Sequence, residues 1–262
     1  IDAKQARAWF GKGACFQALK RYEDAVAAYG QAATAEPDLT GALSGQGACL
    51  LVLHRYEEAL AAFARVLAVD PKDHSAALGS CDALEALGRA KDALEACTRL
   101  TGLDPKDADA WARRARLAHG AGNDKDALAS INRATSLAPD RVDLLRAKRD
   151  ILVTSEAHKA VIDVCDRLLA LDPRDADAVR EKALAYERLG KTDLALQTFD
   201  AAARLDPMDR RLWNARGSTL VRLGRREEAL QAFDHTLSLN PGDREAIGRK
   251  GEALLDLGRT GE

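Results

Sequence analysis

Large, small and large apolar residues recur along the chain at spacings of four and three. Trp9, Gly13 and Phe16 open the series, and Leu43, Gly47 and Leu50 repeat it 34 residues on. Val179, Ala183 and Tyr186, then Trp213, Gly217 and Leu220, then Ile247, Gly251 and Leu254 continue it. Such spacing keeps all three side chains on one face of a helix, and the small residue lets a second helix come close. A second pattern follows each first one: an alanine, then a bulky residue four positions later. Ala25 with Tyr29, Ala59 with Phe63, Ala127 with Ile131, Ala195 with Phe199 and Ala229 with Phe233 are its members. Ala93 fits as well, while the fifth copy places Val161 where the alanine stands elsewhere. The pattern predicts two helices per copy with a short turn between them.

The punctuation has the same period. All seven prolines, Pro37, Pro71, Pro105, Pro139, Pro173, Pro207 and Pro241, stand 34 residues apart. Each ends a second helix, because proline lacks an N–H and clashes with the preceding turn. Gly88, Gly122, Gly190, Gly224 and Gly258 sit where the first helix should end in a left-handed residue. Lys20, His54 and Glu156 replace glycine there, at up to about 1 kcal/mol each if the same backbone is kept. Asp73, Asp107, Asp175, Asp209 and Asp243 follow the prolines by two residues and are placed to cap the next first helix. A period of this length means an array of supersecondary units. With each proline at position 32 of its repeat, the repeats span 6–39, 40–73, 74–107, 108–141, 142–175, 176–209 and 210–243, with a partial repeat at 244–262.

The combination Trp213–Gly217–Leu220–Ala229–Phe233–Pro241 resembles the tetratricopeptide repeat, and the resemblance covers essentially the whole chain. It implies an all-α fold: a right-handed superhelical α-solenoid of antiparallel helix pairs, here a single array with a concave inner groove. It also implies that the groove wall is built from first-helix positions 2, 5, 9 and 12. On that expectation the candidate peptide-binding residues are Phe10, Ser44, Leu51, Leu78, Asp82, Arg116, His119, Arg146, Asp150, Arg180 and Asn214. The last repeat's wall also includes Arg211, Ser218 and Val221. Phe10 stands out as the one aromatic outside the packing positions, so it reads either as a partner anchor or as an inter-repeat contact. Members of this family that clamp a chaperone tail use a lysine, asparagine and arginine set. The matching places here hold Phe10, Ala14, Gly45, Ser75 and Gly79, so that clamp is not expected.

Both ends read as cut from a longer array. Ile1–Asp2 match the tail of a second helix, with Ala3 in the proline's place, and 244–258 is a first helix without its partner. Repeat five departs most from the pattern. Arg149 occupies the small position and is expected to snorkel outward or push its helices apart. Position 7 is basic in most repeats (Lys12, Arg114, Lys148, Lys182, Arg216, Lys250), which reads as a solvated edge paired with position 31, such as Asp70 and Asp206.

Composition narrows the function. With 39 basic and 41 acidic residues the formal charge is −2, which argues against a general nucleic-acid binder. No stretch approaches a membrane span, so no membrane insertion is expected. Five cysteines without a Cys-x-x-Cys spacing point to thiols in a reducing, cytoplasmic compartment, with a Cys81–Cys97 disulfide the less expected state. His54, His74, His119, His158 and His235 fall at unrelated repeat positions, and no catalytic, cofactor-binding or metal-ligating constellation is visible. The expectation is a non-enzymatic scaffold that binds an extended peptide or helix of a protein partner. The alternatives are a targeting or regulatory region of a larger enzyme, such as a glycosyltransferase or kinase, and self-association through the exposed ends.

Overall fold

The paired apolar patterns become paired helices. The computed structural model describes residues 3–259. Repeat one forms α1 (Ala3–Ala18) and α2 (Tyr22–Ala35), and repeat two forms α3 (Thr40–Val52) and α4 (Tyr56–Val69). Then come α5 (His74–Ala86) and α6 (Ala90–Leu103), and α7 (Ala108–Gly120) and α8 (Asp124–Leu137). Repeats five to seven give α9 (Val142–Thr154), α10 (His158–Leu171), α11 (Ala176–Arg188), α12 (Thr192–Leu205), α13 (Arg210–Arg222) and α14 (Arg226–Leu239). The last is α15 (Arg244–Asp256). Among the described residues there is no strand. The expectation attached to Ile1–Asp2 lies outside them, and Ala3 is the first residue of α1 rather than the site of a break.

The chain divides into two compact units, Ile1–Ala138 and Pro139–Glu262. In each, a helix packs on the one before it and the one after it, so the core is a row of inter-helix layers rather than a single centre. Each unit is therefore an α-solenoid of helical hairpins.

The turns follow the chemistry read from the sequence. The five glycines have φ between 69° and 74°, and Lys20, His54 and Glu156 adopt the same left-handed backbone at 58°, 59° and 55°. The backbone then closes back on the helix, as where Arg21 N–H donates to the Phe16 carbonyl at 2.9 Å. Asp73, Asp107, Asp175, Asp209 and Asp243 each accept a backbone N–H of the helix they precede. Arg141 stands at the equivalent place before α9 and makes no side-chain cap.

The helix crossings show what the small residues do. The alanine of each second helix is fully buried: Ala25, Ala59, Ala93, Ala127, Ala195 and Ala229 are all 0% exposed. The bulky residue four positions on enters a hole between position 8 of its own repeat and position 6 of the next. The Tyr29 ring lies between Gly13 and Gly45, where a Cβ would sit 2.7 Å and 2.6 Å from it. Phe63 is held likewise between Gly47 and Gly79, and Phe233 packs on Gly217. Where the bulky residue is lost, the hole changes hands. Position 24 of repeat three is Cys97, and position 6 of the next repeat is then Arg113.

Three expectations are corrected here. Cys81 and Cys97 are joined in a disulfide with a Cα–Cα distance of 5.9 Å, while Cys15, Cys49 and Cys165 are free. The two occupy positions 8 and 24, the pair that meets at every crossing, so this contact brings sulfur against sulfur. The thiol argument for a cytoplasmic compartment loses its premise with them. Second, Arg149 does not snorkel. Its side chain is only 11% exposed and reaches Asp150 at 2.8 Å. Repeat five has the small Cys165 at position 24, which leaves room for the arginine stem, and burial pushes the Cys165 thiol up to about 12. One Arg149 nitrogen, Nη1, stays buried without a partner.

Third, the basic position 7 does not pair with position 31. Lys182, Arg216 and Lys250 reach Asp166, Asp200 and Asp234 of the preceding repeat at 2.6, 2.8 and 2.6 Å. Arg114 takes Asp126 of its own repeat at 2.6 Å. The carboxylates at position 31 are occupied locally. Asp70, Asp104, Asp172 and Asp206 each accept the backbone N–H two residues on, as in an Asx turn around the proline.

Candidate functional site

First helices α11, α13 and α15 line a cavity of about 700 Å³ in the C-terminal unit. Leu184 and Glu187 of α11, and Arg211, Asn214, Ser218 and Val221 of α13, face it. These residues stand at positions 2, 5, 9 and 12, the positions expected to form the wall. Phe233, at the bottom of its crossing, closes the floor.

The electrostatics of this wall are partly spent and partly open. Arg222 pairs with Glu187, Arg210 with Asp243 at 2.8 Å, and Arg249 with Glu245 at 2.9 Å and the Ser218 hydroxyl at 2.8 Å. Among the described residues no ion pair engages Arg188 or Arg211, which also line the cavity. Asn214 is 8% exposed. Its amide donates to the Asp243 carboxylate, and its Oδ1 is buried without a partner. Since a carboxylate only accepts, the amide nitrogen must face Asp243, which leaves the oxygen unsatisfied. Asp243 is held below the usual carboxylate range, first by the Ala246 N–H it caps and then by Arg210 and Asn214.

Most of the other candidate residues serve the stack itself. Phe10 is exposed. Its ring centroid lies 5.8 Å from that of Tyr29, and the ring covers Gly41 of the next repeat, an inter-repeat contact. Asp82 pairs with Arg113, and Arg116 with Glu85, across the same repeat boundary. His119 contacts Asp124 at 2.9 Å and so ties α7 to the start of α8. Arg146 and Arg180 reach the capping Asp175 and Asp209 of the following repeats at 2.9 and 2.7 Å. Burial would raise both carboxylates. Arg146 and Arg180, with the capped N–H groups, outweigh it and hold both low. Asp150 is taken by Arg149. The charged candidates are thus paired internally. Ser44, Leu51 and Leu78 are half-buried on α3 and α5, with Leu51 and Leu78 packed against the core.

Among the described residues one group of metal-ligating side chains converges, Cys81, Glu85 and Cys97. With its sulfurs joined to each other it offers no thiolate. No helix among the described residues is long and apolar enough to cross a membrane.

Stacked helical hairpins with a first-helix wall define a repeat protein of the interaction-scaffold class. Models described as tetratricopeptide repeat match residues 6–39, 50–108, 84–149, 149–212 and 210–253. The chain belongs to the tetratricopeptide repeat family.

Solved structures share the fold at low identity. YrrB, described as a TPR protein with an unusual peptide-binding site, is 21% identical with a TM-score of 0.62, covering 72% of this chain and 97% of its own. A tetratricopeptide repeat protein from Parabacteroides merdae is 16% identical with a TM-score of 0.59, covering 96% and 99%. The C-terminal part of a TPR repeat-containing protein from Cytophaga hutchinsonii is 12% identical with a TM-score of 0.73, covering 92% and 98%. No curated protein matches the sequence.

Proposed function

We propose that the chain is a non-enzymatic scaffold that receives an extended peptide of a protein partner on the first-helix wall of its C-terminal unit. The observation that carries this reading is the cavity of about 700 Å³ lined by Leu184, Arg211, Asn214, Ser218 and Val221. Extended peptides need main-chain hydrogen-bond partners and shallow side-chain pockets. Ser218 and the arginines supply the first, and Leu184 and Val221 the second. Arg188 and Arg211, outside the internal ion pairs, favour an occupant with acidic side chains. YrrB, which shares the fold, is described as having an unusual peptide-binding site, and that description supports the reading.

The test is a peptide-display selection on the wild-type chain, with the selected peptides titrated against Val221→Arg and Arg211→Glu. Binding that falls about tenfold or more in both variants, with helicity unchanged, supports the reading. Undiminished binding moves the site elsewhere.

A second reading, self-association, rests on α15. Ile247 and Leu255 are 51% and 64% exposed, and no other helix lies within 4 Å of a Cβ built at Gly251. Light scattering over a dilution series decides it, since a constant monomer mass removes the idea.

A further inference from the structure

Position 4 of a repeat carries a tryptophan in repeats one, four and seven, and alanine, Ala77, in repeat three. Position 7, basic in most repeats, is Ser80 there, and position 25 of the repeat before it is Ala64. The three substitutions lie side by side. Together they open a slot of about 420 Å³ between α4 and α6, floored by Ala77 and Ser80 and walled by Leu60, Leu67 and Leu84.

The other repeats show what such a place holds. In repeat four the Trp111 indole donates to the Pro105 carbonyl at 3.1 Å, and the Arg114 guanidinium lies 5.3 Å from its ring. In repeat seven the Trp213 indole donates to the Pro207 carbonyl at 2.8 Å, and His235, at position 26, stacks on it at 4.1 Å. In repeat three position 26 is Arg99, which lines the slot and, among the described residues, takes part in no ion pair, and the equivalent carbonyl belongs to Pro71. A guanidinium beside an apolar slot is a ready partner for an aromatic face.

We propose that this slot is a second recognition site, separate from the first-helix wall, which takes a single tryptophan side chain presented by a partner protein. The guest indole replaces the one that repeat three lacks. It packs on Leu60, Leu67 and Leu84 and stacks under Arg99. The second helices that frame the slot do not contribute to the first-helix wall.

The experiment uses the full chain with isotope-labelled leucine methyl groups and a blocked pentapeptide, Gly-Gly-Trp-Gly-Gly. Saturable methyl shifts of Leu60, Leu67 and Leu84 are expected with this peptide. They should be absent with the peptide carrying alanine in place of tryptophan, and weakened about tenfold or more in Ala77→Trp, where the chain fills its own slot. Ser80→Arg is the second blocked variant and carries the comparison if Ala77→Trp fails to fold. No saturable shift with the tryptophan peptide, or equal shifts in a folded blocked variant, overturns the proposal. Shifts that grow with protein concentration alone assign the slot to a second copy of the chain and overturn it as well.

Discussion

Gly217→Ala is the most informative single perturbation of the packing. An added Cβ would stand 2.6 Å from the Phe233 ring, closer than real carbon contacts allow, and Phe233 is 0% exposed and cannot swing into solvent. Two effects oppose each other. Alanine favours a helix interior over glycine by about 0.5–1 kcal/mol. Forcing a methyl group into a filled crossing costs about 1–3 kcal/mol. The clash wins, because the neighbouring atoms belong to a fully buried ring, and a net loss of about 1–2 kcal/mol is expected. Phe233→Leu removes the atoms in the way, so in the double variant the two losses should fall short of additive by about 1 kcal/mol. Global denaturation of a repeat array is not all-or-none, so the assay is hydrogen exchange resolved to α13 and α14. Equal or greater protection in Gly217→Ala, or full additivity in the double variant, would refute the picture of a ring held against position 8.

Further outcomes follow from the same geometry. Lys20→Gly, His54→Gly and Glu156→Gly should each stabilise their hairpin by up to about 1 kcal/mol, read as slower exchange at the adjoining helix ends, since all three hold a left-handed backbone. Asp175, Asp209 and Asp243 are held low in the folded state. Their contribution is therefore present above the unfolded value near 3.9 and is lost as pH falls through the lower folded value, so an acid titration by circular dichroism should show loosening only below about pH 4. Reducing Cys81–Cys97, which closes 16 residues, should lower the stability of repeat three by about 3 kcal/mol or less, measured as faster exchange in α5 and α6. Arg180→Glu should loosen the α11–α13 junction by placing a carboxylate against Asp209, visible as local exchange with helicity kept.

The hairpins, their turns and their caps were legible because they are dictated locally. A left-handed turn residue, an Asx-type carboxylate and a small residue at a crossing act within one repeat or its neighbour, so Gly88, Asp209 and Gly217 announce their roles by position. The site was less legible, because a charged residue's address does not reveal its partner. Arg146 and Arg180 stand at wall positions, yet each reaches the capping aspartate of the next repeat, a relation that needs the stacking geometry to be seen. Asn214, Ser218 and Val221 line the cavity as their positions implied. Arg188, Arg222 and Arg249 join them from positions outside the wall set. The slot in repeat three did have a signal, the coincidence of Ala77 with Ser80, but it was one of absence, a pattern broken by residues too small rather than by an unusual one. The disulfide could be named from the sequence but was not the favoured state, for a related reason. Cysteine fits both positions 8 and 24 as a small apolar residue, and only their facing geometry makes the pair a bond.

The claim on which the functional account rests is that recognition takes place on the first helices of the C-terminal unit. Hydrogen exchange of the chain with and without a display-selected peptide tests it most directly. The account expects new protection in α11, α13 and α15, around Asn214 and Val221. Protection confined to α12 and α14, or none in this unit at saturating peptide, would contradict it.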